Sequence, residues 1–327
     1  STQTTKGVIG LMGSMGDPAA RPSREWRYAE HVPYGAGDPA ERVALLDEEH
    51  LERAILYPTL GLLWECDVAD PEITCAYQRA YNRWIADFCR GSKGRLVPIA
   101  HLNLLDPAWA ASELARAVRD GCAGAFVAPF THTRKGHGHP DHDVLWAKAV
   151  ELDVPMAIHP TIEPLEFMPL RFRGIGKGSE WYHSVLARQG VQQAFLTFFA
   201  HGTLERFPRL RLGVLESGSG WIGALLDRMD AVFETWIGRR APMTTRPSEV
   251  FRRQCFISGD PDETAAPLVM RHVGVDRFLW ATDFPHPDHP STWATDLQRL
   301  VAPLDAEARA GVLGRNVREI YRLSSRR

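Results

Sequence analysis

The chain has 327 residues, of which 44% are hydrophobic and 24% are charged, and its formal net charge at pH 7 is −2. This length suits one large α/β domain or two ordinary ones, and the composition is that of a globular protein. The near-zero charge gives no electrostatic reason to expect a nucleic-acid or membrane partner, and no apolar run is long enough to span a bilayer.

The five cysteines are odd in number and scattered, and they lack the spacing of a metal site (Cys66, Cys75, Cys89, Cys122 and Cys255). This pattern predicts free thiols in a reducing compartment, so we expect a cytoplasmic protein.

Helices and short apolar strands alternate along most of the chain. Residues 1–38 are rich in Gly, Pro, Ser and Thr and are predicted to form an irregular arm, in which only the apolar patch at 8–12 can form a strand. Residues 39–327 are predicted to form a single domain. The predicted strands are 53–58, 96–100, 124–128, 154–159, 210–216, 255–258 and 278–283, and the predicted helices cover about 39–52, 71–90, 106–121, 143–152, 186–206, 220–237, 247–252 and 262–273 before two or three more finish the chain.

Seven strands that alternate with helices predict a parallel sheet with right-handed crossovers. A doubly wound sheet would carry a glycine-rich phosphate turn after its first strand, and this sequence has none. We therefore predict an α/β fold of the (β/α)8 TIM-barrel type, whose first strand is weak or missing.

Three predicted strands end on a side chain that can bind metal or move protons, namely His159, Glu216 and Asp283. Proline cannot donate to a sheet ladder, so the last strand must end near Phe284 and leave Asp283 at its carboxyl tip. In a barrel these tips meet at one mouth. Imidazole and carboxylate ligands suit zinc or a similar divalent ion, and a third group beside the ion can act as a general acid or base. Taken singly, each has a simpler explanation: a buried histidine, a helix cap or the start of a turn.

Six segments carry a family pattern: 207–211 (FPRLR), 216–221 (ESGSGW), 226–230 (LDRMD), 252–256 (RRQCF), 280–288 (WATDFPHPD) and 314–316 (GRN). Together they resemble the amidohydrolase-related (amidohydrolase 2) family, which includes aminocarboxymuconate semialdehyde decarboxylase and the resorcylate-type decarboxylases. The resemblance covers most of residues 40–322. It implies a metal-dependent (β/α)8 barrel, often dimeric, that acts on small carboxylated or aromatic substrates. It also implies that His159 and Asp283 are metal ligands and that Glu216 occupies the place of the family's catalytic histidine.

Two features depart from the family pattern. Members begin with a strand carrying Asp-x-His-x-His or a variant with Glu, and nothing before residue 53 fits, so we expect the first strand to lie outside the given sequence. The only His-x-His, at 137–139, falls in a histidine-rich loop that we interpret as a solvated active-site loop. The second departure is Glu216 itself, because a buried Glu can act as acid or base or join the metal, which favours hydrolysis over decarboxylation.

Four further side chains are candidates for substrate binding: His286, His183, Trp221 and His201. Each has a structural alternative, respectively a hydrogen bond within a turn, a polar insertion, aromatic packing and a helix end. The backbone N–H groups of the loop 217–220 can hold a substrate carboxylate, although ordinary strand-to-helix geometry explains that loop equally simply.

The sequence therefore predicts a metal-dependent hydrolase of a small carboxylated or aromatic substrate, in which Glu216 moves the proton. One alternative is a metal-dependent non-oxidative decarboxylase at the same site, and another is a catalytically inactive barrel that serves as a binding subunit. The predicted cofactor is one divalent metal ion, with zinc preferred over manganese, iron and magnesium. The predicted partners are a small-molecule substrate and a second copy in a homodimer, with no nucleic acid and no membrane.

Overall fold

The computed structural model of the protein describes residues 32–164, 166–167, 175–186, 188–286 and 292–324, without the side chains of Leu60, Ser179, Glu180, His183 and Ser184. The apolar patch at 8–12 and the motif residues 287–289 lie outside this part of the chain. The division into an arm and one domain stays a prediction. The first described helix does begin at Pro39, where the Asp38 carboxylate accepts hydrogen bonds from the backbone N–H groups of Ala40 and Glu41.

Strands and helices alternate through the described residues as the sequence predicts. The strands are β1 (Ala54–Leu56), β2 (Leu96–Pro98), β3 (Ala100–Leu102), β4 (Ala125–Val127), β5 (Met156–Ile158), β6 (Leu212–Val214), β7 (Cys255–Gly259) and β8 (Phe278–Trp280). The helices are α1 (Pro39–Glu48), α2 (Pro71–Arg90), α3 (Pro107–Arg119), α4 (Asp143–Leu152), α5 (Ser179–Leu186), α6 (Arg188–Ala200), α7 (Thr203–Arg206), α8 (Trp221–Phe233), α9 (Pro247–Gln254), α10 (Ala266–Val273), α11 (Trp293–Val301), α12 (Ala306–Ala310) and α13 (Asn316–Ile320). None of these helices is long and apolar enough to cross a membrane.

The sheet is parallel throughout, and its strands follow chain order. β1 pairs with β2, and a second run pairs β3 through β8 in succession. The change of partner falls at Ile99, whose N–H donates to the carbonyl of Leu56 (3.3 Å), while the next N–H, of Ala100, donates to Gly124 (3.0 Å). The single strand predicted at 96–100 divides here because Pro98 has no N–H to continue its ladder. With β2 and β3 counted as one bent strand, the described sheet has the seven strand positions that the sequence predicts.

Side chains of alternate residues face opposite sides of this sheet. One set forms the interior cluster around Phe126 and Phe256, together with Ile99, Ala157 and Leu279. The other set packs beneath the helices and includes Leu102, Val127, Ile158, Val214 and Ile257. Burial on both faces explains why the strands read as continuous apolar runs without alternation.

An open seam separates β8 from β1, since these two strands are not paired in the described part of the chain. A cavity of about 620 Å³ lies here and is lined by residues of both strands and of the C-terminal helices. All three residues of β1 are half-buried, whereas β2 to β7 are fully buried. The seam is where the remaining strand of an eight-stranded barrel would lie, which agrees with the predicted weak or missing strand.

The long helix predicted at 186–206 is broken into α6 and α7, with α5 before them. Gly202 causes the second break, because its φ of 65° lies in the left-handed region that favours glycine. A side chain there would also meet the carbonyl oxygen of Pro242 at 2.4 Å. Helix α5 begins at Ser179, so its first residues lie within the polar insertion predicted at 160–183.

A buried carboxylate, Glu113, joins α2 to α3 beneath the sheet. It accepts hydrogen bonds from Arg79 (3.0 Å), Arg116 (2.6 Å) and Asn82 (3.1 Å), and its side chain is fully buried. Burial acts to raise the pKa of Glu113, but the donors from Arg116, Asn82 and Arg79 outweigh it and the net pKa is lowered.

We expect Glu113→Gln to lower the free energy of unfolding by about 3 kcal/mol at pH 7, because it breaks a buried charged network. The lowered pKa means that the Glu113 contribution is fully present above the unfolded value of about 4.3 and is lost as the pH falls further. Urea unfolding should therefore show the difference from wild type shrinking below pH 4. Glu151→Gln, at an exposed ion pair with Lys148, should change stability by less than about 0.5 kcal/mol.

Candidate metal and active site

The ends of β5, β6 and β8 place three of the predicted site residues at one end of the cavity. His159 follows β5 directly, Glu216 lies two residues after β6, and Asp283 lies three residues after β8. All three line the cavity together with His286. The structure thus brings together side chains that lie more than a hundred residues apart in the chain.

Four side chains in this cluster face one another at short distances. Nε2 of His159 lies 3.0 Å from Oε2 of Glu216, and Nδ1 of His286 lies 3.1 Å from Oδ2 of Asp283 and 4.0 Å from Oε1 of Glu216. Glu216, Asp283 and His286 each offer one ligand atom within 4.8 Å of the others, which is the spacing of a group that can hold a metal ion.

The contact between His159 and Glu216 lies at ion-pair distance. Nδ1 of His159 lies 2.8 Å from the carbonyl oxygen of Pro160, so in the neutral ring that nitrogen carries the proton and Nε2 presents a lone pair. In that state Nε2 and the buried Oε2 of Glu216 are two acceptors that repel unless a cation lies between them. When the ring is protonated, the proton on Nε2 itself supplies the positive charge and the two groups form an ion pair.

A divalent metal ion fits this arrangement. Ligand atoms that each lie about 2.1 Å from one ion are about 3 Å apart when they subtend a right angle, which matches the separation of Nε2 and Oε2. The donor set of imidazole nitrogen and carboxylate oxygen suits zinc, manganese or iron, and it contains no thiolate. In the described part of the chain, Glu216 and Asp283 would hold the ion together with one of the two imidazoles, His159 or His286.

Both carboxylates of the cluster stand on unusual backbone. Glu216 has a φ of 43° and Asp283 a φ of 54°, in the left-handed region that non-glycine residues rarely adopt. Such conformations cost of order 1–2 kcal/mol for residues with a Cβ and concentrate at functional sites. At both strand ends the chain keeps a carboxylate where glycine would be unstrained.

A tyrosine pair holds the His159 ring in place. The Tyr57 ring stacks on it with centroids 5.1 Å apart, and the Tyr57 hydroxyl lies 2.8 Å from that of Tyr321. Burial raises the pKa of Tyr321 to about 12, so both hydroxyls stay neutral. Burial acts to lower the pKa of His159, but the Glu216 carboxylate outweighs it and the net pKa is raised.

Glu263 supports the site from behind, and no sequence motif predicted this role. Its carboxylate accepts hydrogen bonds from the backbone N–H groups of Ser219 (2.8 Å), Gly220 (2.9 Å) and Asp260 (2.8 Å), and from the Ser219 hydroxyl (3.1 Å). It therefore ties the loop after β6, which carries Glu216, to the loop after β7. It also occupies N–H groups at 217–220 that the sequence offered as a carboxylate site.

Two of the other predicted substrate-binding residues, Trp221 and His201, have partners outside the cavity in the described part of the chain. The Trp221 indole N–H donates to the carbonyl of Ser217 (3.1 Å) and its ring packs against the core, and His201 lies at the end of α6, with its ring 5.5 Å from that of His139. Neither lines the cavity among the described residues. His183 belongs to α5, and its side chain lies outside the described part. These three assignments stay predictions.

Two histidines of the loop after β4 have a structural role, because they form hydrogen bonds to backbone carbonyl groups. Nε2 of His137 lies 2.7 Å from the carbonyl of Ala128, and Nδ1 of His142 lies 3.0 Å from the carbonyl of His137. Burial lowers the pKa of His137 to about 4, so its ring is neutral at pH 7. The His-x-His at 137–139 therefore serves to hold its loop against the sheet.

Comparison with known proteins identifies a matching family and several similar proteins. The amidohydrolase family model Amidohydro_2 matches residues 31–323. The decarboxylase orsB of Emericella nidulans is 32% identical over 204 residues, which cover 58% of this chain and 59% of that protein. The gamma-resorcylate decarboxylase of Rhizobium radiobacter is 28% identical over 323 residues, which cover 93% of each chain.

A solved structure supports the fold. The dihydroxybenzoic acid decarboxylase of Polaromonas sp. JS666, with bound manganese and the inhibitor 2-nitroresorcinol, aligns with a TM-score of 0.72 at 20% identity and covers 97% of this chain and 94% of its own. At that identity the likeness shows the fold alone. The predicted α/β barrel fold is therefore confirmed, and the family model separately identifies the family.

We expect the wild-type protein, loaded with manganese and freed of loose ions, to hold about one divalent ion per chain. Asp283→Ala and Glu216→Gln should each hold less than about a tenth of that amount, because each removes a ligand atom. Plasma mass spectrometry measures the content. Asp276→Ala removes an exposed carboxylate paired with Arg277 and should keep the full content. Full metal and full turnover in Asp283→Ala would exclude this site.

Glu263→Gln should lower the free energy of unfolding by about 2 kcal/mol, because an amide has a single acceptor oxygen for donors that now share two. Guanidinium unfolding followed by circular dichroism gives the value. Glu249→Gln, on the exposed side of α9, should change it by less than about 0.5 kcal/mol. Equal stability of the two variants would show that Glu263 does not support the loop.

Proposed function

The chain belongs to the amidohydrolase family, and we propose that within it the protein is a divalent-metal-dependent, non-oxidative decarboxylase of a small aromatic or unsaturated carboxylic acid. The observation that carries this proposal is the cluster of His159, Glu216, Asp283 and His286 at the cavity end, in which Nε2 of His159 and Oε2 of Glu216 lie 3.0 Å apart and Glu216, Asp283 and His286 have the spacing of metal ligands. The relatives named as decarboxylases support it, since one of them aligns over 93% of this chain.

The proposal replaces hydrolysis as the preferred reaction. Glu216 in place of histidine favoured hydrolysis on the sequence alone, yet the relatives that align here carry decarboxylase names. The geometry also offers a proton carrier other than Glu216, because His286 lies in the same cluster. Glu216 is then available as a metal ligand.

We assign the ion to His159, Glu216 and Asp283. A bound divalent ion would supply a Lewis acid that stabilises negative charge developing on the substrate oxygens. Manganese is our first choice over zinc, because the Polaromonas enzyme holds manganese. The stacked Tyr57 ring and the bond from Nδ1 to Pro160 fix the His159 ring so that Nε2 faces Glu216.

We assign the proton transfer to His286. The reaction breaks the bond between the ring or vinyl carbon and the carboxyl carbon, releases carbon dioxide and leaves an electron pair that takes up one proton. Asp283 Oδ2, 3.1 Å from Nδ1, orients the imidazole and stabilises its protonated form. Leu215 and Leu279 line the cavity beside the cluster and provide an apolar wall for the body of the substrate.

Manganese-loaded protein incubated with gamma-resorcylate in D2O should release carbon dioxide and an equal amount of resorcinol. The resorcinol should carry deuterium at the carbon that bore the carboxylate, because that carbon takes its proton from the site. Gas analysis and proton NMR measure both products. His286→Asn should keep its manganese and lose activity by about 10²- to 10⁴-fold, the usual contribution of an acid–base group.

Two results would contradict the proposal. A panel of monocyclic aromatic and enoic acids is screened under the same conditions, and release of carbon dioxide from none of them would exclude decarboxylation of this substrate class. Metal-dependent cleavage of an ester or amide of such an acid, with water incorporated, would restore hydrolysis. The homodimer and the cytoplasmic location stay predictions.

A further inference from the structure

We propose that Arg42 is the anion-binding residue of the cavity and that it takes a carboxylate group of the ligand. This inference rests on the proposed function, since it names the residue that recognises the negative charge of the substrate. Arg42 lies on α1, remote in sequence from the strand ends that carry the candidate metal ligands, and it lines the same cavity.

In the described part of the chain, one nitrogen of the buried Arg42 guanidinium has no hydrogen-bonding partner. Only 6% of the residue is exposed, and Nη1 is the buried atom that makes no hydrogen bond to a described residue. The central guanidinium carbon lies 4.2 Å from the centre of the Phe284 ring, so one face of the cation rests on an aromatic surface. The donors of Nη1 are therefore left for a ligand.

The other arginines that line the cavity are already paired. Arg53 and Arg318 each contact Glu52, and Arg315 contacts Glu307. Within the described residues, Arg42 has no carboxylate within ion-pair distance, which makes it different from these three. Among the described residues, Arg42 therefore differs from the other three arginines of the cavity because it lacks a carboxylate partner.

A buried cation without a counter-charge is costly, and a ligand anion would remove that cost. Burial lowers the pKa of Arg42 to about 10, with Glu49 acting in the opposite direction, so the guanidinium is still charged at pH 7. The planar fork of an arginine matches a carboxylate with two parallel hydrogen bonds. A neutral amide or phenol of the same size offers no such pairing.

Phe284 connects this cation to the candidate metal site. It follows Asp283 directly, so the same turn carries a metal-ligating carboxylate and the ring that supports Arg42. A planar acid in the cavity would then meet the ion on one side and the guanidinium on another. The carboxylates of Glu216, Asp260 and Asp283 make this end of the cavity negative, and Arg42 offsets that charge for an incoming anion.

Benzoate and benzamide test this inference without any turnover, because they share a shape and differ in charge. Isothermal titration calorimetry on the manganese-loaded protein should show that Arg42→Met weakens benzoate binding by about 10- to 100-fold, the range for a lost charge-assisted pair. Benzamide affinity should change by less than about twofold. Arg42→Lys should fall between wild type and Arg42→Met, since it keeps the charge and loses the fork.

The matched control is Arg318→Met, which removes a paired arginine from the same cavity wall and should leave benzoate affinity unchanged. Unchanged benzoate binding in Arg42→Met, an equal loss for benzoate and benzamide, or no benzoate binding by the wild type would each overturn the inference. If Arg42→Met does not fold, Arg42→Lys carries the same comparison. Arg42-dependent benzoate binding in a protein that decarboxylates no acid would refute the proposed function and leave this inference standing.

Discussion

The contact between Nε2 of His159 and Oε2 of Glu216 is the constraint on which the rest of the site depends. Both atoms are acceptors when the imidazole is neutral, and the protein nevertheless holds them 3.0 Å apart. Three separate features maintain the contact: the stacked Tyr57 ring, the left-handed backbone at Glu216 and the Glu263 carboxylate behind the β6 loop. Backbone strain of this kind is typical of a site in which a bound cation would offset the strain.

Charge balance links this contact to the choice of reaction. Glu216 and Asp283 line the cavity at the carboxyl ends of β6 and β8, and their negative charge would repel a carboxylated substrate. A divalent ion would neutralise part of this charge, and Arg42 lines the same cavity. A pocket that combined a metal, an arginine and apolar walls would suit a small planar anion, which is the substrate type of the proposed decarboxylase.

The sequence predicted the parts of the site that local chemistry determines. His159, Glu216 and Asp283 stand out because an apolar run with no helical period ends on each of them, and a proline or glycine follows within two residues. Arg42, Tyr57 and Glu263 could not be found in this way, since each acts on residues far away in the chain. Nothing in the residues around Glu263 shows that its carboxylate meets a helix start forty-four positions earlier.

The fold shows the same division between local and distant causes. The order of strands and helices follows from periodicity and capping, as at Asp38, and the break at Gly202 follows from a backbone angle that glycine alone accepts easily. The change of strand partner at Ile99 depends on where both β1 and β4 lie, so it could not be predicted from the residues around Ile99 alone. Trp221 and His201 were predicted as pocket residues from their sequence neighbours. In the described part of the chain they contact Ser217 and His139, and their role in substrate binding stays a prediction.

The seam between β1 and β8 has a consequence for the way in which the metal site is completed. In the described part of the chain each of these strands pairs on one side only, so one further parallel strand would pair with both of them and close the sheet. The carboxyl end of that strand would lie beside the cavity that holds Glu216 and Asp283. Closing the barrel and completing the ligand set would then be one event, and metal binding would stabilise the closed sheet.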